Sequence, residues 1–233
     1  AGDMSIFACL NSDTVAAGQA VIAGCGGTLE TQVTNYLWAL RRNGATVDLF
    51  WEHGAGVNDS VTLAGLTMST GTWYRICAIR DVTAGNVRFV VNGTDYGTFT
   101  TGDFGYIAAP DGGSTSVVSI GGDSGGGSLV NGRIDSVALW NAKLSSEDAI
   151  ALTKGISSPM VIRPGALVEF WPLLGSARGM KQALHLSATG SPTRFEGVIL
   201  PRPPDESINY QGFVAPSGNY AAAYYYGMVG EAA

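Results

Sequence analysis

Regular punctuation is the feature that most constrains this chain. Between residues 4 and 140, short runs rich in β-branched and aromatic residues alternate with clusters of turn formers, at the spacing of about 8–12 residues that marks sandwiches and barrels. The runs are Met4–Leu10, Ala20–Cys25, Asn35–Arg42, Thr46–Glu52, Ser60–Leu63, Trp73–Arg80, Asn86–Asn92, Tyr96–Thr100, Ser116–Ile120 and Arg133–Trp140. Arg42-Asn43-Gly44, Thr83-Ala84-Gly85, Asn92-Gly93, Asp111-Gly112-Gly113 and Gly121–Ser128 separate them. Strands this short, closed by turns this often, predict an all-β sandwich or jelly roll. The 33 glycines, roughly double the ordinary share, are what so many tight turns require. Within Asn86–Asn92, Val87, Phe89 and Val91 alternate with Arg88, the signature of a half-buried strand. Asn92-Gly93 then predicts a two-residue hairpin turn.

One segment breaks the strand rhythm. In Leu144–Gly155, Ser145 is the expected N-cap, Asp148 stands three residues on, Lys154 occupies the last turn, and Gly155 stops the helix. It is short, and is expected to pack Ile150 and Leu152 under one end of the sandwich. Beyond it, Ser157-Ser158-Pro159 and Arg163-Pro164-Gly165 read as linkers. Ala166–Leu174 reads as one more strand, completing a sheet, with Pro172 suited to an edge or a strand end. The sandwich is therefore expected over residues 1–175, with a loop-rich extension over 176–233. The last stretch, Ser207–Ala233, carries Tyr210, Phe213, Tyr220, Tyr224, Tyr225 and Tyr226 with a single acid, Glu231. It has too little apolar mass for a core of its own. We expect an extended C-terminal arm held by another surface, of its own subunit or a neighbour.

Charge excludes one class of function. The formal net charge is −6 and the pI about 4.8, whereas phosphate-backbone binding needs clustered Lys and Arg. Arg41-Arg42 is the nearest approach to a cluster and reads as two solvated residues at a strand end. No apolar run approaches the length of a membrane-spanning helix. The three cysteines, Cys9, Cys25 and Cys77, form neither a disulfide framework nor a metal-binding pattern. Each sits in an apolar stretch and reads as a buried thiol, with a Cys9–Cys25 bridge open if their strands are neighbours. The opening Ala1-Gly2-Asp3-Met4 carries no signal-peptide pattern. Either an initiator Met was removed before Ala1, or a longer precursor was processed there.

The motifs in residues 71–155 carry a family resemblance. Gly71-Thr72-Trp73 opens a strand, and Asn86–Gly93 ends in the Val91-Asn92-Gly93 turn. Val118-Ser119-Ile120-Gly121, then Asn131-Gly132-Arg133-Ile134-Asp135-Ser136-Val137-Ala138-Leu139-Trp140-Asn141, then Leu144-Ser145 and the helix follow in order. This series resembles the laminin-G-like, concanavalin A-like lectin jelly roll. Ile134 and Val137 differ in parity, which predicts a β-bulge near Asp135. Domains of that family usually open on a strand like Ala166–Gly175, which here follows the helix instead. Residues 166–204 also resemble C-terminal extensions of such modules in bacteriophage structural proteins.

The resemblance directs attention to four kinds of site. Glucanases on this sandwich pair carboxylates on one strand, and no such strand exists here, since Glu52, Glu169 and Glu196 each stand alone. Gly122-Asp123-Ser124-Gly125-Gly126 matches a serine-protease signature, but His53 is the only earlier histidine and lacks the matching context. An enzyme is not expected. Family members that bind Ca²⁺ use loop carboxylates, which makes Asp13, Asp59, Asp111 and Asp123 the candidates. Trp38, Trp73, Trp140 and Trp171 read as core, whereas Trp51, beside Glu52 and His53 at a strand end, is the candidate ring for stacking on a sugar.

Two functional expectations follow. The first is a virion structural protein, a capsid decoration or tail-associated protein of a bacteriophage, homo-oligomeric and assembled through contacts with other virion subunits. It is motivated by the unpaired thiols, sparse charge, aromatic arm and phage-like segment. The alternative is a secreted or cell-surface carbohydrate-binding module, with or without Ca²⁺, that touches host-surface glycan.

Overall fold

The computed structural model describes residues 2–15, 18–26, 36–54, 57–100, 118–122, 128–173 and 180. They form β1 (Met4–Ser12), β2 (Gln19–Gly26), β3 (Tyr36–Asn43), β4 (Thr46–Gly54), β5 (Val57–Thr62), β6 (Trp73–Asp81), β7 (Asn86–Val91), β8 (Thr94–Phe99), β9 (Val118–Ile120), β10 (Gly132–Trp140), α1 (Ser146–Lys154) and β11 (Leu167–Trp171). All pairings are antiparallel. One sheet runs β11-β10-β1-β6-β7-β8 and the other β5-β4-β3-β2-β9, the jelly-roll sandwich that the turn spacing predicts. No helix among the described residues is long and apolar enough to cross a membrane.

Alternation builds the interior. Ile6, Ala8 and Leu10 of β1, Ile76 and Ala78 of β6, and Val87, Phe89 and Val91 of β7 turn inward. They meet Leu40, Leu49, Trp51 and Val61 of the opposite sheet. The β7–β8 turn has φ of 49° at Asn92 and 80° at Gly93, the two positive values of a type I′ hairpin. A side chain at Gly93 would also run into the stem of Lys154. Gly132 serves close approach instead, since a Cβ there would collide with the Asn11 carbonyl.

The bulge lies where parity places it. Cys9 faces Ser136 but Leu10 faces Ile134, so Asp135 is the extra residue of β10. β11 adds to the six-stranded sheet at its edge, beside β10, and Pro172 follows it directly.

α1 is capped as its sequence implies. The Ser145 hydroxyl accepts from Asp148 N–H at 3.1 Å, and Gly155 at φ 74° donates back to Leu152 O at 2.9 Å. Its position differs from expectation. The helix lies across the outer face of the six-stranded sheet rather than under one end of the sandwich. Leu152 and Ala149 pack with Phe7, Cys77, Val90 and Trp140, and the following segment adds Ile162 and Phe170. Both faces of β1, β6 and β7 were already apolar, so a cover was required and the helix is it. The Thr153 hydroxyl pins α1 to the hairpin, accepting from Gly93 N–H at 3.1 Å and donating to Ala149 O at 2.7 Å.

The thiols of Cys9, Cys25 and Cys77 are free and buried. A Cys9–Cys25 bridge is excluded because the two thiols lie on opposite sides of the six-stranded sheet. Cys9 turns outward under the helix-covered face, whereas Cys25 points into the sandwich. Burial pushes the Cys9 thiol up to about 12 and raises Cys25 and Cys77 as well, so none is a ready nucleophile.

Candidate functional site

The outer face of the five-stranded sheet is built differently from its counterpart. No described helix or strand lies against it, and its residues follow from the β3–β4 hairpin. With Asn43 opposite Thr46, the register sets Arg41 against Asp48 and Ala39 against Phe50. The next strand places Ser60 beside Phe50 and Thr62 beside Asp48. Val21 of β2 completes the row next to Arg41.

Arg41 and Asp48 form a two-pronged ion pair, Nε to Oδ1 at 2.7 Å and Nη2 to Oδ2 at 2.9 Å. Arg41 Nη1 donates to Gln19 Oε1 at 3.3 Å and Asn43 Nδ2 to Asp48 Oδ2 at 3.2 Å. The guanidinium carbon sits 4.6 Å from the centroid of the Phe50 ring. Arg41 is 5% exposed and Asp48 1%, so the pair is a rigid floor rather than a solvated contact. Phe50 is half-buried, and Ser60, Thr62 and Gln19 are exposed. The arrangement therefore sets a half-buried aromatic ring and exposed hydroxyl groups beside a fixed charge pair. Such a surface can stack on the C–H face of a ring and exchange hydrogen bonds at its rim.

Trp51 is not the sugar-stacking ring. It sits within β4 and turns inward, at 0% exposure, with the Arg80 guanidinium carbon 5.0 Å from its ring centroid. Alternation along β4 puts Val47, Leu49 and Trp51 on the core side, and Phe50 on the outer side in its place. Glu52 is buried, one residue further along the outward series. His53 lies in β4, but its side chain is outside the described residues. Arg41 and Arg42 are not solvated either; both are buried, Arg42 on the inward parity with Nη1 donating to Gly44 O at 2.9 Å. Burial lowers the pKa of Arg42, and also that of Arg80. Of the other tryptophans, Trp38, Trp140 and Trp171 are buried, and Trp73 is half-buried at the start of β6.

Of the four calcium candidates only Asp13 and Asp59 are described, and these two do not converge. Asp13 follows β1, and its N–H bonds Asn131 O at 2.8 Å. Gly71 N–H to Ser12 O and Met68 N–H to Ala45 O place that end beside the β3–β4 turn. Asp59 is opposite Trp51, five residues up β4 from Thr46 and so roughly 16 Å away along the strand. Asp111 and Asp123 lie outside the described residues, as do Tyr210, Phe213, Tyr220, Tyr224, Tyr225 and Tyr226. Among the described residues no group of three or more His, Cys, Asp or Glu side chains could hold a metal ion. Glu52 and Glu169 stand in different sheets and make no acid pair, and Glu196 is outside the described residues.

A second polar cluster sits at the bulge. Asp135 is 3% exposed, and among the described residues its Oδ1, the Ser136 hydroxyl and Arg75 Nε lack hydrogen-bond partners. Burial pushes the Asp135 carboxyl up to about 7, with Arg75 and Ser136 pulling it back.

The residues that composition hid were Arg41, Asp48 and Phe50. Their signal was the hairpin itself, because Asn43-Gly44 fixes the register that pairs residue 41 with 48 and turns residue 50 outward.

A laminin-G family model, described as the concanavalin A-like lectin/glucanases superfamily, matches residues 1–149. Comparison with curated protein sequences finds no match. Among solved structures, the CBM40 module of a Ruminococcus gnavus IT-sialidase, bound to α2,3-sialyllactose, is similar at 18% identity and TM-score 0.53. It covers 65% of this chain and 83% of the module. A leech intramolecular trans-sialidase is similar at 17% identity and TM-score 0.52, over 67% of this chain and 24% of the enzyme. At these identities the likeness is one of fold.

Proposed function

This chain belongs to the concanavalin A-like lectin/glucanases superfamily, and on that premise we propose that it is a non-catalytic carbohydrate-binding module. The observation that carries the reading is the asymmetry of the two outer faces. One is sealed by α1; the other presents Phe50, Ser60 and Thr62 over the Arg41–Asp48 floor. A half-buried aromatic flanked by hydroxyls is the usual chemistry of sugar recognition, in which apolar area supplies affinity and a few polar groups fix orientation. The Ruminococcus gnavus module of the same fold is bound to a glycan, which supports the class of ligand. A module of this kind works outside the cell or on a displayed surface.

The reading as a bacteriophage decoration or tail-associated protein rests on residues 166–204 and the aromatic arm. Of these, only residues 166–173 and Met180 are described. The two roles are compatible, because a glycan-binding sandwich carried on a particle would serve adhesion.

The test is a glycan array probed with the full chain and with Phe50→Ala. Wild type should be retained on a defined subset of glycans. Phe50→Ala should lose that retention while its melting transition changes little. Absence of retention for wild type across the array, or undiminished retention of a folded Phe50→Ala protein, would overturn the proposal.

A further inference from the structure

We infer that Asn131 is a site of spontaneous covalent modification, losing its side-chain amide as ammonia and leaving aspartate or isoaspartate at the seam between the two sheets.

The chain contains three Asn-Gly pairs, Asn43-Gly44, Asn92-Gly93 and Asn131-Gly132. Each has the makings of the same reaction, because glycine has no Cβ to hold its backbone nitrogen away from the preceding side chain. The Gly nitrogen attacks Cγ of the Asn and gives up its proton to solvent base. The bond from Cγ to the side-chain nitrogen breaks, ammonia leaves, and a cyclic succinimide remains. Water then opens the ring at either carbonyl. One opening yields aspartate. The other yields isoaspartate, whose main chain runs through Cγ and is longer by one methylene. Nothing is oxidised or reduced. The reaction needs a Gly nitrogen without a hydrogen-bond acceptor and an amide able to turn toward it, and the fold grants these unequally.

Two of the pairs are locked. Gly93 N–H donates to Thr153 Oγ1 at 3.1 Å, while Asn92 Oδ1 accepts from Arg75 N–H at 2.8 Å and Nδ2 donates to Trp73 O at 3.3 Å. Gly44 N–H donates to Gly18 O at 3.1 Å, and Asn43 Nδ2 donates to Asp48 Oδ2 at 3.2 Å. In both, nitrogen and amide are held by separate partners, and those bonds must break before the ring can close.

The third pair is open. Asp13 N–H donates to Asn131 O at 2.8 Å, which makes residues 13 and 131 a hydrogen-bonded pair. With Ser12 opposite Gly132, the alternation of an antiparallel ladder turns Gly132 N–H away from β1. On the other side of β10, the pairing with β11 begins only at Val137. Among the described residues, neither Gly132 N–H nor the Asn131 side-chain amide has a hydrogen-bond partner. Asn131 is also exposed, so water and base reach it.

The position gives the change a structural consequence. Residues 128–132 cross from one sheet to the other. Val21 N–H bonds Ser128 O at 2.9 Å and Val130 N–H bonds Gly121 O at 2.9 Å on the side of β2 and β9. On the side of β1, Asn131 O accepts from Asp13 N–H and, at 3.3 Å, from the Ser12 hydroxyl. An added methylene at residue 131 displaces that carbonyl. Gly132 has little room to absorb the shift, because the backbone of Asn11 and Ser12 lies against its Cα. Isoaspartate should therefore open this end of the β1–β10 ladder.

The experiment warms the full chain at mildly alkaline pH, folded and in concentrated urea. The three pairs are followed by peptide mass spectrometry, with isoaspartate separated from aspartate by chromatography. In urea the three should convert at similar rates. In the folded protein Asn131 should convert at least about tenfold faster than Asn43 or Asn92. Equal rates at the three sites of the folded protein, faster conversion at Asn43 or Asn92, or conversion at none of them would overturn the inference. The seam is read by hydrogen exchange. Aged wild type should lose protection at the Asp13 amide, whereas Asn131→Gln, whose longer side chain closes a ring far more slowly, should keep it through the same treatment. Loss of protection in both proteins would overturn the link between Asn131 and the seam.

Discussion

The two outer faces of this sandwich solve the same problem in opposite ways. On the six-stranded sheet, Phe7, Cys77, Val90, Ala138 and Trp140 would leave a continuous apolar surface in water. The chain answers with α1 and the segment through Phe170. On the five-stranded sheet the apolar set shrinks to Val21, Ala39 and Phe50, and an ion pair replaces the rest. The first face is a second core. The second is held flat by charge, which stabilises little beyond its own desolvation but fixes geometry. Stability and recognition are thereby assigned to different sides of one fold, so substitutions on one should leave the other's role standing.

Three measurements would break or sharpen that division. Trp140→Ala should have the largest effect. The indole is fully buried and its Nε1–H donates to Ile162 O at 2.8 Å, so removal creates a cavity and strands a carbonyl. A loss of about 3–5 kcal/mol is expected in denaturant unfolding, with glycan retention per folded molecule unchanged. Should retention fall in proportion while the protein remains folded, the two faces are coupled.

Asp135 gives an effect that depends on pH. Its carboxyl titrates near 7 in the folded protein and near 3.8 when exposed. Below about pH 4 it is protonated in both states and costs nothing. Between pH 4 and 7 the unfolded chain has released a proton that the folded protein keeps, so stability falls as pH rises through this window. By pH 8 the penalty is complete, on the order of a few kcal/mol. Asp135→Asn should flatten the profile between pH 4 and 7 and melt higher than wild type at pH 8. An unchanged slope would show that the bulge cluster is not its source.

Ser145→Ala is the mildest of the three. Loss of the bond to Asp148 N–H should cost about 1 kcal/mol, felt first as weaker amide protection in α1 and over the β7–β8 turn it pins. Uniform loss of protection across both sheets would instead mean that α1 and the sandwich open as one unit.

The sparse charge of the sequence takes on a different meaning in the fold. Arg41, Arg42, Asp48, Glu52, Arg80, Asp135 and Glu169 are all buried, so part of an already small set of charges is structural. Arg41-Arg42 was legible as a strand end but not as buried, because exposure depends on what lies opposite each strand. The burial of Trp51 depends on its partners in the same way. Its neighbours Glu52 and His53 suggested an open loop, yet β4 continues to Gly54 and carries the ring into the interior. The same alternation turns Phe50, one residue earlier, outward.

What the sequence determined by itself was everything set by near neighbours. The Asn92-Gly93 turn, the Ser145 and Gly155 caps, the bulge at Asp135 and the limits of most strands follow from backbone preferences and side-chain alternation within a few residues. Only the tertiary structure decided which face of each sheet would be enclosed. That choice depends on where α1 lands and on which residues meet across the sandwich, contacts between positions as far apart as Ser5 and Leu144. Alternation separates the two faces of a strand locally, but burial is a property of the partner that arrives. Hence Trp51 became core and Phe50 became surface.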